Sequence, residues 1–294
     1  MNISTEIPSV NFHLWKPCNM KCRFCFATFQ DLGQGDLPKG HLPREESVEV
    51  VEALAGAGFN KINFAGGEPT LCPWLPDLIR RARELELTTS IVTNGSCITP
   101  EWLDRVDGCL DWAAVSIDTV DPAKLKRIGR STRTGPLSEA DYLRIMDMLK
   151  ERGVHLKINT VVSQSNKDED LARFIADAQP ERWKVFQVLP VRGQNDGLVD
   201  DLVVTNEEFS SYVSRNRYVE ALGVVLVPES NDLMTGSYVM VDPAGRFFDN
   251  VDGTHTYSRP INRVGVNSAL REISVDPDKF RLRDGLYDWS GEQG

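Results

Sequence analysis

The chain has 294 residues, 41% hydrophobic and 26% charged, with a net charge of −10 and a pI near 5.0. That composition suits a globular protein that buries its own core without disulfides, and the acidic balance argues against a general nucleic-acid binder, which needs a basic face. No stretch approaches the roughly 18 apolar residues of a membrane span, and MNISTEIPSVNFHLW lacks the basic start and apolar run of a signal peptide. Six cysteines without a repeated framework point to a reduced compartment, so a soluble, cytoplasmic protein is expected, with no membrane association.

In chain order, Ser9–Trp15, Lys61–Ala65, Thr89–Thr93, Ala113–Ile117, Leu156–Val162 and Trp183–Leu189 read as strands. Between them Arg44–Ala57, Leu75–Leu85, Ser138–Arg152 and Asp168–Ala178 carry apolar residues at helical spacing, two of them stopping at Gly58 and Gly153. Strand and helix in alternation imply right-handed crossovers and a parallel sheet. Six units before Pro190 are too few for a closed barrel, which typically needs about 250 residues. The expected fold is α/β, a partial (β/α)6 barrel over 1–190, with a doubly wound open sheet as the alternative. Residues 191–294 read as a C-terminal extension completing the site: a helix over Asn206–Asn216, an extended Val224–Val227, and a hairpin over Tyr238–Phe248 around Pro243-Ala244-Gly245.

Cys18-Asn19-Met20-Lys21-Cys22-Arg23-Phe24-Cys25 follows the first strand and places three thiols together, with Cys72 the next cysteine. A structural zinc site closes with four ligands, which would require His13 or His41 here. Electron-carrying iron–sulfur proteins use four cysteines per cluster. Three thiolates instead suit a cluster that keeps one iron open to a substrate.

CxxxCxxC, followed by Gly66-Gly67-Glu68-Pro69 at the end of the second strand, resembles the radical SAM superfamily. The resemblance implies a [4Fe–4S] cluster on Cys18, Cys22 and Cys25. It also implies S-adenosyl-L-methionine (SAM) held by Phe24, Gly66, Gly67, Glu68, Asn94, Ser116 and Arg130, and reductive cleavage of SAM to methionine and a 5′-deoxyadenosyl radical. In physical terms, paired glycines let backbone come close to a ligand and a carboxylate partners an ammonium.

Val10-Asn11-Phe12-His13, Cys18–Phe26, Lys61–Pro69, Thr93–Ser96, Ile128-Gly129-Arg130, Lys157-Ile158-Asn159, Arg182–Gln187 and Val227-Pro228-Glu229-Ser230-Asn231 are together similar to the viperin family. That resemblance implies dehydration of a ribonucleoside triphosphate, CTP or alternatively UTP, to its 3′-deoxy-3′,4′-didehydro form, a chain terminator in antiviral defence. Lys61, Lys157, Arg182 and Lys184 are then the cations for the phosphates, and four cations inside strand patterns of an acidic chain are otherwise hard to explain. Asn11 and Asn159 are placed at the nucleoside, and Tyr238 at the reacting sugar as a donor of a proton or hydrogen bond. An electron donor such as a flavodoxin or ferredoxin is implied, and a monomer is expected.

Animal members have an N-terminal amphipathic helix, whereas this chain starts almost at its first strand; they read Ser where Ala65 stands, and end in a tryptophan where Trp289 is followed by SGEQG. Cluster loading through that terminal tryptophan is therefore not expected. A GTP-rearranging relative with a second cysteine cluster is disfavoured because no cysteine follows Cys109. A non-catalytic iron–sulfur sensor accounts for the cysteines and leaves the strand cations unexplained.

Overall fold

The computed structural model describes residues 3–289. Its strands are β1 (Ser9–Trp15), β2 (Lys61–Gly66), β3 (Thr88–Thr93), β4 (Trp112–Ser116), β5 (His155–Val162), β6 (Arg182–Gln187), β7 (Val225–Glu229), β8 (Met240–Val241), β9 (Arg246–Asp249) and β10 (Thr256–Pro260). They form one sheet in the order β10-β9-β8-β1-β2-β3-β4-β5-β6-β7. From β1 to β7 every neighbouring pair is parallel. That monotonic order answers the question left open by periodicity. A doubly wound sheet reverses direction at a switch point, whereas uniform right-handed crossovers in one direction put every connecting helix on one face and leave the other face concave. The fold is a partial barrel, open because its edge strands β7 and β10 do not pair.

Two sequence expectations change. The extended Val224–Val227 is the core of a seventh parallel strand, registered Arg182↔Val225 on β6, and β8 joins the opposite side, parallel to β1. The C-terminal extension thus supplies strands to both edges of the sheet. The helix expected over Asp168–Ala178 starts only at Ala172. Upstream, Ser163 and Leu171 N–H groups donate to the side chains of Asn166 and Asn216 instead of to a helical ladder.

Local chemistry accounts for the other elements. The helix Glu139–Glu151 starts from a Ser138/Asp141 capping box and buries Tyr142, Ile145, Met146 and Leu149 at helical spacing. The hairpin turns at Gly245 (φ +70°), where Asp242 N–H donates to the Arg246 carbonyl at 2.8 Å. Along the strands the two faces differ in chemistry. Val10, Phe12, Leu14, Ile62, Phe64, Leu156, Ile158, Trp183 and Val185 are buried in the main core, while the residues between them face the concave side.

Candidate active site

Those alternate residues line a cavity of about 810 Å³ running through the partial barrel. Its lining includes Cys18, Cys22 and Cys25, and also Lys61, Lys157, Arg182 and Lys184. The cysteine loop follows the C-terminal end of β1. Lys61 and Arg182 open β2 and β6, and Lys157 is the third residue of β5. The thiols and the cations therefore lie toward opposite mouths of one cavity.

The loop from Cys18 to Cys25 is held by backbone. Lys21 and Arg23 N–H groups donate to the carbonyls of Gly129 and Ile128 at 3.0 and 2.9 Å. A Cβ on Gly129 (φ +78°) would lie 2.0 Å from the Lys21 carbonyl oxygen; one on Gly66 would lie 2.3 Å from that of Trp15, and one on Gly67 2.2 Å from that of Lys16. The glycine pair therefore makes a close approach to the chain entering the cysteine loop as well as lining the cavity. On the far side Gln194 Oε1 accepts from Phe29 N at 2.7 Å, and Asn195 Nδ2 donates to the Phe24 carbonyl at 3.2 Å. These two turn residues of the extension carry no motif that would have marked them.

Among the described residues, no three His, Cys, Asp or Glu side chains converge tightly enough to ligate one ion. The three thiols instead border a shared space, a donor set that fits a multi-iron cluster better than a single ion. Burial pushes all three up, Cys22 to about 12, with Arg130 pulling Cys22 back. As free side chains they hold their protons, so ligation has to release them.

Glu68, 1% exposed, accepts from Thr70 Oγ1 at 2.5 Å, Thr93 Oγ1 at 2.6 Å and Asn94 N at 2.7 Å. It ties the ends of β2 and β3 together while facing the cavity. Burial raises its pKa and these hydrogen bonds oppose the rise. The Asn94 side chain donates to Asn19 and accepts the N–H of Ser96 at 2.9 Å, a local turn contact typical of asparagine. Arg130 forms a buried pair with Asp118 and lies 5.7 Å from the centroid of the Phe24 ring. Phe24, Glu68, Asn94, Ser116 and Arg130 all line the same cavity.

At the other mouth the residues 284–289 cover the cations. Tyr287 Oη accepts from Lys61 Nζ at 2.6 Å and from Lys157 Nζ. Arg182 pairs with Asp284, and Trp112 Nε1 donates to the Trp289 carbonyl at 3.0 Å. Burial lowers Lys61 to about 7 and Lys184 to about 8, and drives Lys157 down as well, with repulsion among the cations adding to the fall in all three. Arg283 joins Lys61, Lys157, Arg182 and Lys184 as a fifth cation at this mouth, its guanidinium 3.5 Å from the Tyr238 ring centroid. The sequence offered no signal for it beyond its charge. Asn11 Oδ1 accepts from Asn63 Nδ2 at 2.8 Å across the β1–β2 register. The Oδ1 atoms of Asn63 and Asn159 and the Nδ1 of His13 are buried without partners, and all three residues border the cavity. Orphaned buried polar atoms are costly, so the middle of the cavity suits a ligand rich in hydroxyl or amino groups. The residues after Trp289 lie outside the described residues. No helix among the described residues is long and apolar enough to cross a membrane.

Comparison with known proteins places this geometry. Residues 15–178 match the radical SAM superfamily. An S-adenosylmethionine-dependent nucleotide dehydratase of Lacinutrix mariniflava is 54% identical over 290 residues, which cover 98% of this chain and 60% of that protein. One of Flammeovirga pacifica is 51% identical over 283 residues, covering 96% of each, and the S-adenosylmethionine-dependent nucleotide dehydratase RSAD2 of Danio rerio is 35% identical over 97% of this chain and 79% of its own length. Streptococcus suis SuiB bound to S-adenosylmethionine superposes with a TM-score of 0.61 at 16% identity, over 81% of this chain and 59% of that one. AdoMet-bound anSMEcpe gives the same TM-score and identity over 82% and 71%. The likeness to these two structures is one of fold.

Proposed function

Because the chain belongs to the radical SAM superfamily, and within it to the SAM-dependent nucleotide dehydratases of the viperin family, we propose that it removes water from a ribonucleoside triphosphate. CTP is the favoured substrate and UTP the alternative. The product, the 3′-deoxy-3′,4′-didehydro nucleotide, lacks the hydroxyl a polymerase extends from and so serves antiviral defence. The family's cofactors are a [4Fe–4S] cluster and SAM; when bound, they supply a carbon radical able to take the 4′ hydrogen. A donor of the flavodoxin or ferredoxin type delivers the electrons to a monomeric enzyme in the cytoplasm.

The single observation that carries this reading is the polarity of the cavity, with three thiols at one mouth, five buried or half-buried cations at the other, and orphaned asparagine oxygens between. A nucleoside triphosphate has the matching order of chemistry along its length. In this arrangement Cys18, Cys22 and Cys25 hold the cluster and Glu68 and Arg130 receive the amino-acid end of SAM. Asn11, Asn63 and Asn159 orient the nucleoside, Lys61, Lys157 and Arg182 take the phosphates as Tyr287 and Asp284 give way, and Lys184, which contacts Tyr238 and not that segment, lies where the phosphates meet the ribose. The C-terminal segment also keeps bulk water from the cation end.

The test is anaerobic incubation of the reconstituted, reduced protein with SAM and CTP, UTP, GTP or ATP in turn, followed by mass spectrometry. A nucleotide lighter by one water, formed with 5′-deoxyadenosine, is the expected result. Deoxyadenosine without any nucleotide change sinks the dehydratase reading. A cluster-loaded protein that forms neither points to the sensor.

The lysines add a pH dependence. Their folded pKa values lie below the ordinary 10.5, so between about 7 and 10 the unfolded chain binds more protons than the folded one. Stability without ligand then rises with pH in that window. Nucleotide binding needs the ammonium forms, and the phosphates restore them, so affinity falls over the same window and binding near pH 8 takes up protons. Melting curves at pH 7 and 9 with and without CTP should show the nucleotide-induced shift shrinking at pH 9. A shift that grows would contradict the assignment of these lysines.

A further inference from the structure

Glu229 lies on β7, 0% exposed, and does not border the cavity, yet it contacts three residues that do: Lys184, Tyr238 and Arg283. Tyr238 Oη donates to Glu229 Oε2 at 2.5 Å, and Lys184 Nζ pairs with Oε1. Lys184 Nζ also donates to Tyr238 Oη at 3.1 Å. A phenol has one proton to give and an ammonium has three. The Tyr238 proton is committed to Glu229, away from the cavity, whereas Lys184 donates one proton to Tyr238, is held by charge against Glu229, and still has a proton to give. Arg283 spends its Nε and one terminal nitrogen on the Ser237 carbonyl, and an arginine does not release protons in proteins.

We propose that Glu229 is a positioning residue that turns the Tyr238 hydroxyl inward and fixes Lys184, so that Lys184 and not Tyr238 is the proton donor of the reaction. The inference rests on the dehydratase reading and deepens it by naming the acid. Once the 4′ hydrogen has gone, the C3′–O bond breaks with its electron pair on oxygen, and that oxygen takes a proton from Lys184 Nζ and leaves as water. The remaining positive charge on the sugar is discharged by one electron from the flavodoxin- or ferredoxin-type donor. Lys184, left neutral, regains its proton from solvent. Tyr238 accepts a hydrogen bond from Lys184 and shapes the wall.

The charged and titratable groups facing Lys184 are Glu229 from β7, Tyr238 from the segment before β8, Arg182 from its own strand, Arg283 from the C-terminal segment, and Lys61 and Lys157 from β2 and β5. Burial lowers the Lys184 ammonium most, Glu229 supports it and the cations add to the fall, the net value lying at about 8. The kcat/KM profile also titrates the phosphate-binding lysines of the free enzyme, so the acid is read from the kcat profile of the bound complex, which should carry an alkaline limb. Glu229→Gln keeps the shape and removes the charge. In the cluster-loaded variant the yield of dehydrated nucleotide per 5′-deoxyadenosine should drop about tenfold, a part of the roughly 100- to 10,000-fold that a general acid contributes, and the alkaline limb should move to lower pH. Tyr238→Phe should leave the limb in place, and Lys184→Met should keep deoxyadenosine formation while losing dehydration. An unchanged yield and limb in Glu229→Gln, or a limb displaced equally by Tyr238→Phe, overturns the proposal. Should Glu229→Gln fail to load its cluster, Glu229→Asp, which keeps the charge one methylene further back, has to show the lowered yield. A wild-type enzyme that forms deoxyadenosine but no dehydrated nucleotide defeats the dehydratase reading itself, and this inference with it.

Discussion

Replacing Cys22 by alanine abolishes cluster binding and with it 5′-deoxyadenosine formation, a loss beyond the roughly 100-fold that follows removal of an outer hydrogen-bond partner of a metal ligand. The three thiols facing the cavity are the whole cysteine set available there. Cys72 is buried in the main core, and Cys109 packs against that core from the other side of β3, where its carbonyl accepts from Thr89 Oγ1. Cys97 sits behind Asn19, whose Nδ2 is 3.8 Å from its sulfur, and Cys97→Ala should retain the cluster. Because the fold rests on the barrel core and not on the loop, the Cys22→Ala chain should keep its far-ultraviolet circular dichroism. Iron and sulfide per chain, visible absorbance and deoxyadenosine yield together check the prediction. Full cluster content in the variant would mean that the loop is not the ligand set.

The second large effect is expected at Gly129. An alanine there puts its Cβ 2.0 Å from the Lys21 carbonyl oxygen, a backbone atom that cannot swing aside, at a φ of +78°. Relief requires moving the strand of chain that carries Cys18 and Cys22, so we expect destabilisation of about 3 kcal/mol or more, a fall in Tm of roughly 6–12 °C, and a disproportionate loss of cluster. Gly153 is the comparison, since it has a similar φ of +71° and nothing within 4 Å of a Cβ. Gly153→Ala should cost about 1–2 kcal/mol from backbone strain alone and leave cluster content unchanged. Equal losses at the two positions would show that contact with the cysteine loop is not what Gly129 is for.

The C-terminal segment gives the site a character that neither cofactor motif conveys. Barrel enzymes build their chemistry at the C-terminal ends of the strands, and the cysteine loop and Glu68 obey that rule. The cations do not. Lys61 and Arg182 are first residues of their strands, so the cavity runs along the barrel axis between the two ends, and the end that a packed barrel would fill with side chains is closed by Tyr287 and Trp289. Cations this deep in an acidic chain lose charge unless anions or aromatic faces compensate. Asp284 supplies the anion, on Arg182, and Tyr287 supplies an aromatic face 4.0 Å from the same guanidinium and a neutral hydroxyl that accepts from two lysines.

Much of this was legible in the residues themselves, because it depends on neighbours in the chain. Period-2 alternation marked the six strands of the barrel, and the same alternation put Lys157 with Asn159 and Lys184 with Phe186 on one face, where the cavity lining places them. The three cysteines, the glycine pair and the cations within strands are local patterns whose chemistry survives without coordinates. What tertiary structure decided depends on partners far apart in sequence. The bond from Lys61 to Tyr287 spans 226 positions and that from Phe24 to Asn195 spans 171, and no periodicity encodes either. The same holds for the tight contact of Gly66 and Gly67 with the backbone of Trp15 and Lys16. It holds as well for Glu229, whose motif was visible but whose role came from burial beside Lys184 and Tyr238. Sequence spacing determines which face a side chain occupies; which proton that side chain can still give is settled only when every competing donor and acceptor has been brought within about 3 Å of it.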